Sequence, residues 1–258
     1  MGALDERFEA AVALATEAGA MALRMMPPSG ASTATLKGAQ DWLTEADGAV
    51  EQFLSERLAA RFQADGFQGE EGGKARRGTL RWVVDPIDGT ANYARGRARF
   101  CVSLALMEDR TPLIGVLVAP AAGETFAGRL GAGATLNGTA IRAAETTEMS
   151  RALVELGWSQ RRPAVMFTAM LQRIVAAGAA PRLSGSGALG LAEVAVGRSD
   201  AYVELHINLW DVAAALVLLR EAGAHVSPFL DGSGAEQGNP ILACAPGIAS
   251  ELTRIAGI

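Results

Sequence analysis

Apolar residues recur at helical spacing twice near the start of the chain, at roughly residues 4–26 and 44–62, and in the second stretch Val50, Phe53, Leu54, Leu58 and Phe62 share one face. The pattern predicts two amphipathic helices that open the chain as an α-hairpin-like unit. Between them, from Pro27-Pro28-Ser29-Gly30 to Ala39-Gln40, periodicity lapses and turn residues collect, which predicts a loop or weak hairpin placed where it could cover a site. From Leu80 to Arg142 the pattern changes to short apolar runs (RWVV, FCVSLALM, PLIGVLVAP, ETFAGRL, ATLNGTAI) separated by turn signals, and that density predicts an antiparallel sheet. After a strand at 153–156 come helices at 163–177, 186–196 and 211–222, strands at 201–205, near 225–227 and at 241–244, and a final helix from Pro246, which is an α/β pattern. Neither an internal repeat nor a flexible linker interrupts the chain. It therefore reads as a single domain in which an N-terminal α+β half (about 1–150) and a C-terminal α/β half (about 151–258) pack as layers.

Composition narrows the class. With 50% hydrophobic and 20% charged residues, the 258-residue chain lies outside the disordered regime. Its 23 Lys and Arg against 28 Asp and Glu give a net charge of -5, and the absence of any long run of like charge argues against a nucleic-acid partner. Asp5, Glu6, Arg7 and Glu9 interrupt the N-terminal apolar residues before a signal-peptide core could form. The most apolar helix, at 212–219, is bounded by Asp211 and Arg220 and falls short of the ~18 residues of a membrane span. A soluble cytoplasmic protein is expected. Cys101 and Cys244 match no metal-ligand spacing and suggest no disulfide framework.

The chemistry concentrates in Trp82-Val83-Val84-Asp85-Pro86-Ile87-Asp88-Gly89-Thr90-Ala91-Asn92. A strand runs into a turn in which Pro86 stops the ladder and Gly89 tolerates unusual backbone geometry, so Asp85 and Asp88 can face one point. Two converging carboxylates repel unless they share a proton or a hard cation, and an oxygen-only set favours magnesium, manganese or calcium; magnesium is the reading preferred. An isolated Asp-Pro-x-Asp-Gly string is more often a plain β-turn. Two further acidic features stand beside this one: the glycine-rich turn Gly69-Glu70-Glu71-Gly72-Gly73, and Trp210-Asp211 at the start of an apolar helix. Taken singly, the first could be exposed loop acid and the second an N-cap.

With these motifs the sequence resembles the inositol monophosphatase family of magnesium-dependent, lithium-inhibited phosphatases. The match rests on the Gly69-Glu70-Glu71 turn, on WVVDPIDGTAN with its sequel at 100–103, and on Leu209-Trp210-Asp211-Val212-Ala213-Ala214 followed by Glu221-Ala222-Gly223. It extends to LTEAD at 43–47, GSGA at 185–188 and DAYVE at 200–204. The resemblance implies a layered α-β-α-β-α sandwich with a metal cluster between its halves. Glu70, Asp85 and the carbonyl of Ile87 would hold a first Mg2+, and Asp85, Asp88 and Asp211 a second. A third, weaker ion would sit near Glu70, and Mn2+ is a possible substitute. Glu70 and Thr90 would position or deprotonate the attacking water, Asp47 would support Thr90, and the N–H groups of Gly89 and Thr90 would meet the phosphate at the start of a helix. The alcohol would be held by backbone N–H groups of Gly185, Ser186 and Gly187 and by the Glu204 carboxylate, which suits a vicinal diol, with Arg182 nearby. Gly187 replaces the alanine of the family pattern, and Trp158 stands where smaller residues are expected near the substrate, which weakens the case for free inositol phosphate. His206 is expected at the surface.

The resemblance therefore implies a phosphomonoesterase acting on myo-inositol 1-phosphate or a related polyol or sugar phosphate, with histidinol phosphate as the alternative. A role as binding partner of the bacterial transcription machinery is the alternative of another class. It also implies a homodimer, with the antiparallel strands at 100–142 as the place to look for its interface.

Overall fold

The first helical pattern becomes α1 (Ala3–Met25), which turns a face of small residues, Ala10, Ala11, Ala15, Ala18 and Ala22, with Leu14, toward the interior. The computed structural model describes residues 2–29, 35–38, 41–72 and 75–258, so parts of the expected loop at 27–40 (30–34 and 39–40) and Gly73 lie outside the described residues. From the end of that loop onward, β1 (Thr35–Gly38) and β2 (Asp41–Leu43) pair as an antiparallel hairpin. Thr44 then caps α2 (Glu45–Arg61), with its N–H and hydroxyl both donating to Asp47 at 2.8 and 2.5 Å.

The sheet region follows as β3 (Gly66–Gly69), β4 (Leu80–Asp88), the one-turn α3 (Thr90–Tyr93), β5 (Cys101–Glu108), β6 (Thr111–Ala119), β7 (Glu124–Arg129), β8 (Ala134–Leu136) and β9 (Thr139–Ala140). These strands form one seven-stranded sheet in sequence order, antiparallel as expected except between β3 and β4, which run parallel. Strand β3 is missing from the hydrophobic pattern because Phe67 is the one large apolar residue in it.

The second half contributes β10 (Leu153–Leu156), α4 (Ala164–Ala176), β11 (Ala180–Arg182), α5 (Gly187–Ala195), β12 (Ala201–Ile207), α6 (Leu209–Glu221), β13 (His225–Val226), α7 (Gly234–Gln237), β14 (Asn239–Cys244) and α8 (Ala249–Ala256). Its five-stranded sheet has the order β11-β10-β12-β14-β13; β10 runs parallel to β11 and β12, while β14 opposes β12 and β13. The apolar segment after Pro246 starts with a 3₁₀ turn before α8 begins.

Five layers result. Helices α1 and α2 cover one face of the large sheet, and α5 and α6 cover the other. The opposite sides of α5 and α6 pack on the small sheet, whose outer face is closed by α4 and α8. Helix α6 can lie between two sheets because it is apolar almost all round: Val212, Ala213, Ala214, Ala215, Val217, Leu218 and Leu219 are all buried. This is the layered α-β-α-β-α sandwich implied by the resemblance. Most of β5 and β6 is buried between helices within one chain, so the strands at 100–142 present residues to solvent at the β5–β6 turn, at the ends of β7 and at the β8–β9 end of the sheet.

Candidate active site

Residues three apart on a regular strand point to opposite faces, yet Asp85 and Asp88 converge. The cause is local. Asp85 pairs with Ser103 and Asp88 with Cys101, so three steps along β4 match two along β5, which is a bulge at Pro86-Ile87. Proline cannot donate to the ladder, and the extra residue turns the second carboxylate back to the side of the first. The Ile87 N–H donates to Asp85 Oδ1 at 3.0 Å, which fixes the bulge from inside. Gly89 then takes φ +94°, and a Cβ there would lie 2.9 Å from the Arg99 carbonyl oxygen, so glycine is required at the turn.

The third carboxylate comes from the other half. Asp211 occupies the first turn of α6, where its Oδ2 accepts the Asn208 N–H at 2.9 Å. One carboxylate oxygen from each of Asp85, Asp88 and Asp211 lies within 4.8 Å of the others. Glu70 arrives from the end of β3, where its N–H donates to the Val84 carbonyl at 3.1 Å, and it lines the same cavity as Asp88, Thr90 and Asp211.

The electrostatics follow from crowding out of water. Burial first, and then Glu70, Asp88 and Asp211, push the Asp85 carboxyl well above its usual range. Burial and the Asp88 charge push Asp211 up to about 7. Asp88 is also raised by burial, but the Ser186 hydroxyl and the N–H groups at the start of α5 oppose the shift. The set is acidic and made of oxygen ligands. Three buried carboxylates, of which Asp85 and Asp211 are pushed up by neighbouring charge as well as by burial, fit a hard divalent cation in this polar cavity, which would turn their repulsion into coordination.

The GSGA stretch is arranged differently from the expectation. The Ser186 hydroxyl donates to Asp88 Oδ2, as does the Ala188 N–H at 2.9 Å, while the Gly187 N–H donates to Asp88 Oδ1 at 3.2 Å. Gly187 therefore serves an acid of the cluster rather than an alcohol. Asp88 acts as an anion at the N-terminus of α5 and joins the two halves across it. Asp47 also departs from its expected partner: its Oδ2 accepts from Thr44, its Oδ1 is buried without a hydrogen bond, and Thr90 Oγ1 donates to the Ile87 carbonyl at 2.8 Å. Arg182 is exposed, with its guanidinium donating to the neighbouring Pro181 carbonyl at 2.8 Å, and it does not line the cavity. A position at the outward side of the edge strand β11 explains this.

The cavity has a volume of about 460 Å³ and runs from the carboxylates toward Glu155, Gly157, Trp158, Leu183, Tyr202 and Glu204. Alternation along β12 sends Tyr202 and Glu204 to one side, and the Tyr202 hydroxyl donates to Glu204 Oε2 at 2.6 Å. Burial raises the Glu204 carboxyl to about 8, with the Tyr202 hydrogen bond opposing the shift. His206 lies partly buried outside this cavity, with Nε2 2.9 Å from the Gln237 carbonyl oxygen.

Several supporting residues escaped the sequence reading. Glu51, on the buried face of α2, accepts the Glu71 N–H at 2.9 Å and abuts Gly69, so it props the acidic turn from beneath. Asn92 Nδ2 donates to the carbonyls of Arg99 and Ser184, each at 2.9 Å, and of Gly185 at 3.2 Å. Arg99 binds both oxygens of Glu155 at 3.0 and 2.8 Å and Glu193 at 2.9 Å. The available signals were acids on otherwise apolar patterns, Glu51 in α2 and Glu155 in LVEL, since a buried charge requires a partner.

Comparison with known proteins agrees with the geometry. The inositol monophosphatase family matches residues 3–254. A Xylella fastidiosa protein named Nus factor SuhB is 38% identical over 195 residues, covering 75% of this chain and 71% of the relative. Inositol monophosphatase 2 of Solanum lycopersicum is 37% identical over 210 residues, covering 78% of each. Among solved structures, the IMPase of Thermotoga maritima superposes with a TM-score of 0.87 at 28% identity, covering 98% of this chain and 97% of the other. The inositol monophosphatase of Anabaena gives 0.85 at 32% identity, covering 98% and 96%.

Proposed function

The chain belongs to the inositol monophosphatase family, and from that premise we propose that it is a magnesium-dependent phosphomonoesterase acting on phosphate esters of small alcohols. One observation carries the reading: Asp85, Asp88 and Asp211, drawn from both halves of the chain, meet at a cavity that also presents Glu70, Gly89 and Thr90.

In this reading Glu70, Asp85, Asp88, Asp211 and the Ile87 carbonyl would hold two or three magnesium ions, with manganese as a substitute. When bound, such ions neutralise phosphate charge and acidify water. The remaining work belongs to the chain. The N–H groups of Gly89 and Thr90 open the single turn of α3, where helical N–H groups have no internal acceptor, and they receive the phosphate oxygens. Glu70 takes the proton of the attacking water, the Thr90 hydroxyl, held by the Ile87 carbonyl, orients that water, and the alkoxide released as the ester P–O bond breaks takes a proton from solvent. Asp47 is a positioning residue that fixes the start of α2. On the alcohol side, the N–H groups of Gly185 and Ser186 donate to oxygens of the leaving group, and Glu204 Oε1 accepts from a hydroxyl of it.

The test is a panel of phosphate monoesters with magnesium, with excess chelator, and with magnesium restored. Turnover should vanish on chelation and return on repletion, and millimolar lithium should inhibit it. Full turnover in chelator, or no ester hydrolysed under any condition, would remove the reading. A role as partner of the transcription machinery, suggested by the name Nus factor on relatives, is less well supported because it leaves the acidic cluster without a purpose. A cytoplasmic homodimer is proposed with the enzyme, and sedimentation tests its oligomeric state. No described helix is long and apolar enough to cross a membrane.

A further inference from the structure

Resting on the phosphatase reading, we propose that the alcohol end of the cavity selects phosphate monoesters whose alcohol carries a planar apolar body over hydroxyl-dense polyols, and that Trp158 and Leu183 are the residues that make this selection.

Trp82, Tyr93, Phe100 and Phe126 are all buried, whereas Trp158 is 44% exposed and Leu183 58% exposed, and both line the cavity that holds the acidic cluster. Apolar surface left open inside a concave polar site is surface that a ligand covers. The ring is also held in place. Trp158 packs edge-to-face on Phe167 of α4, with centroids 5.0 Å apart and an interplanar angle of 77°, so it meets a ligand as a preorganised face. Gly157 sets its position, because a side chain there would collide with Glu204 and the Tyr202 hydroxyl; the backbone runs tight against that pair and delivers the next residue to the rim.

The polar groups point the same way. Glu155 lines the cavity, but both its oxygens are bound by Arg99 at 3.0 and 2.8 Å. Glu204 has Oε2 engaged by Tyr202 at 2.6 Å, which leaves Oε1 as its free acceptor. Gly187 N–H is held by Asp88. A ring bearing hydroxyls on every carbon would lay several of them against the apolar surface of Trp158 and Leu183, which offers no hydrogen bond in place of the water it displaces. An alcohol with one donor near the phosphate and an apolar plane beyond it matches the wall as built.

The experiment compares 2-phenylethyl phosphate with glycerol 3-phosphate, both primary alkoxide leaving groups of similar chemistry, so that differences report binding of the alcohol. In magnesium, the native protein should favour the phenylethyl ester in kcat/KM by about tenfold or more, and W158S should lower that ratio by about tenfold. W158F should keep most of it, and L183A should lower it by a smaller factor. In parallel, calorimetry with 2-phenylethylphosphonate, which cannot be hydrolysed, should show Kd weakened by about tenfold in W158S. A ratio unchanged in W158S, a native preference for glycerol 3-phosphate or inositol 1-phosphate, or an unchanged phosphonate Kd would each overturn the proposal. So would a W158S variant that changes oligomeric state while keeping the ratio, because the exposed ring would then belong to a contact between copies. If no ester turns over, the phosphatase reading fails by itself, and the phosphonate titration still decides this one.

Discussion

At one end of the cavity Asp85, Asp88 and Asp211 crowd together, each fixed by backbone donors at a strand end or helix start; at the other, Glu155 and Glu204 are already engaged by Arg99 and Tyr202, and Trp158 and Leu183 stand open. Both ends carry buried acids, yet they treat charge in opposite ways. The first leaves negative charge uncompensated and so calls for a cation. The second pairs Glu155 with a guanidinium and Glu204 with a hydroxyl, and offers shape and apolar surface. Rigid, backbone-anchored groups suit chemistry that every substrate shares, while side-chain contacts at a half-open rim suit discrimination among alcohols.

The largest effect that can break this contrast is expected from Asp88→Asn. The amide cannot accept from Ser186, Gly187 and Ala188 together, and it removes a charge from the cluster, so kcat should fall by about a thousandfold or more on every ester while unfolding stays cooperative. A loss confined to one substrate would mean that the acidic end also reads the alcohol. Next comes Arg99→Met, which leaves the buried Glu155 without its guanidinium. A stability loss of about 3 kcal/mol is expected from the denaturant midpoint, with partial recovery in Arg99→Lys. A loss under about 1 kcal/mol would show that the wall is not held by this pair.

Smaller still is Glu204→Gln. Assayed at about pH 9, above the value of about 8 at which burial holds the Glu204 carboxyl, loss of the charge should lower kcat/KM by about tenfold for esters with a hydroxyl beside the phosphate-bearing carbon and leave p-nitrophenyl phosphate nearly unchanged. Equal losses on both would assign Glu204 to the support of the acidic end. The smallest effect is one of pH. With Asp211 at about 7 in the folded chain against an ordinary 3.8, the native state keeps a proton that the unfolded state releases between those values. In chelator, stability should therefore fall as pH rises through that window, giving a lower Tm at about pH 8.5 than at about pH 5.5. Magnesium should shrink the difference, leaving the part that Glu204, raised to about 8 by burial, contributes in the same direction. A Tm that rises with pH in chelator would mean the cluster is not the repulsive site described.

The sequence alone determined the two opening helices, the run of antiparallel strands, the α/β second half and the identity of the acidic motifs. Each of these is written in residues within a turn or a strand of one another: alanines at helical spacing in α1, apolar runs in β5 and β6, proline and glycine flanking Asp88. The short β3 and β11 carried too few apolar residues to register. What only the tertiary structure decided are the partnerships between distant segments. Gly187 meets Asp88 across 99 positions, Asn92 meets Gly185 across 93 and Arg99 meets Glu155 across 56, while Arg182 is turned outward by its place on an edge strand. A residue's type states which bonds it can form, but a donor such as the Gly187 N–H serves whichever acceptor the packed layers bring within about 3 Å, and that choice is made by the burial of two sheets against α5 and α6, to which every distant residue of the core contributes.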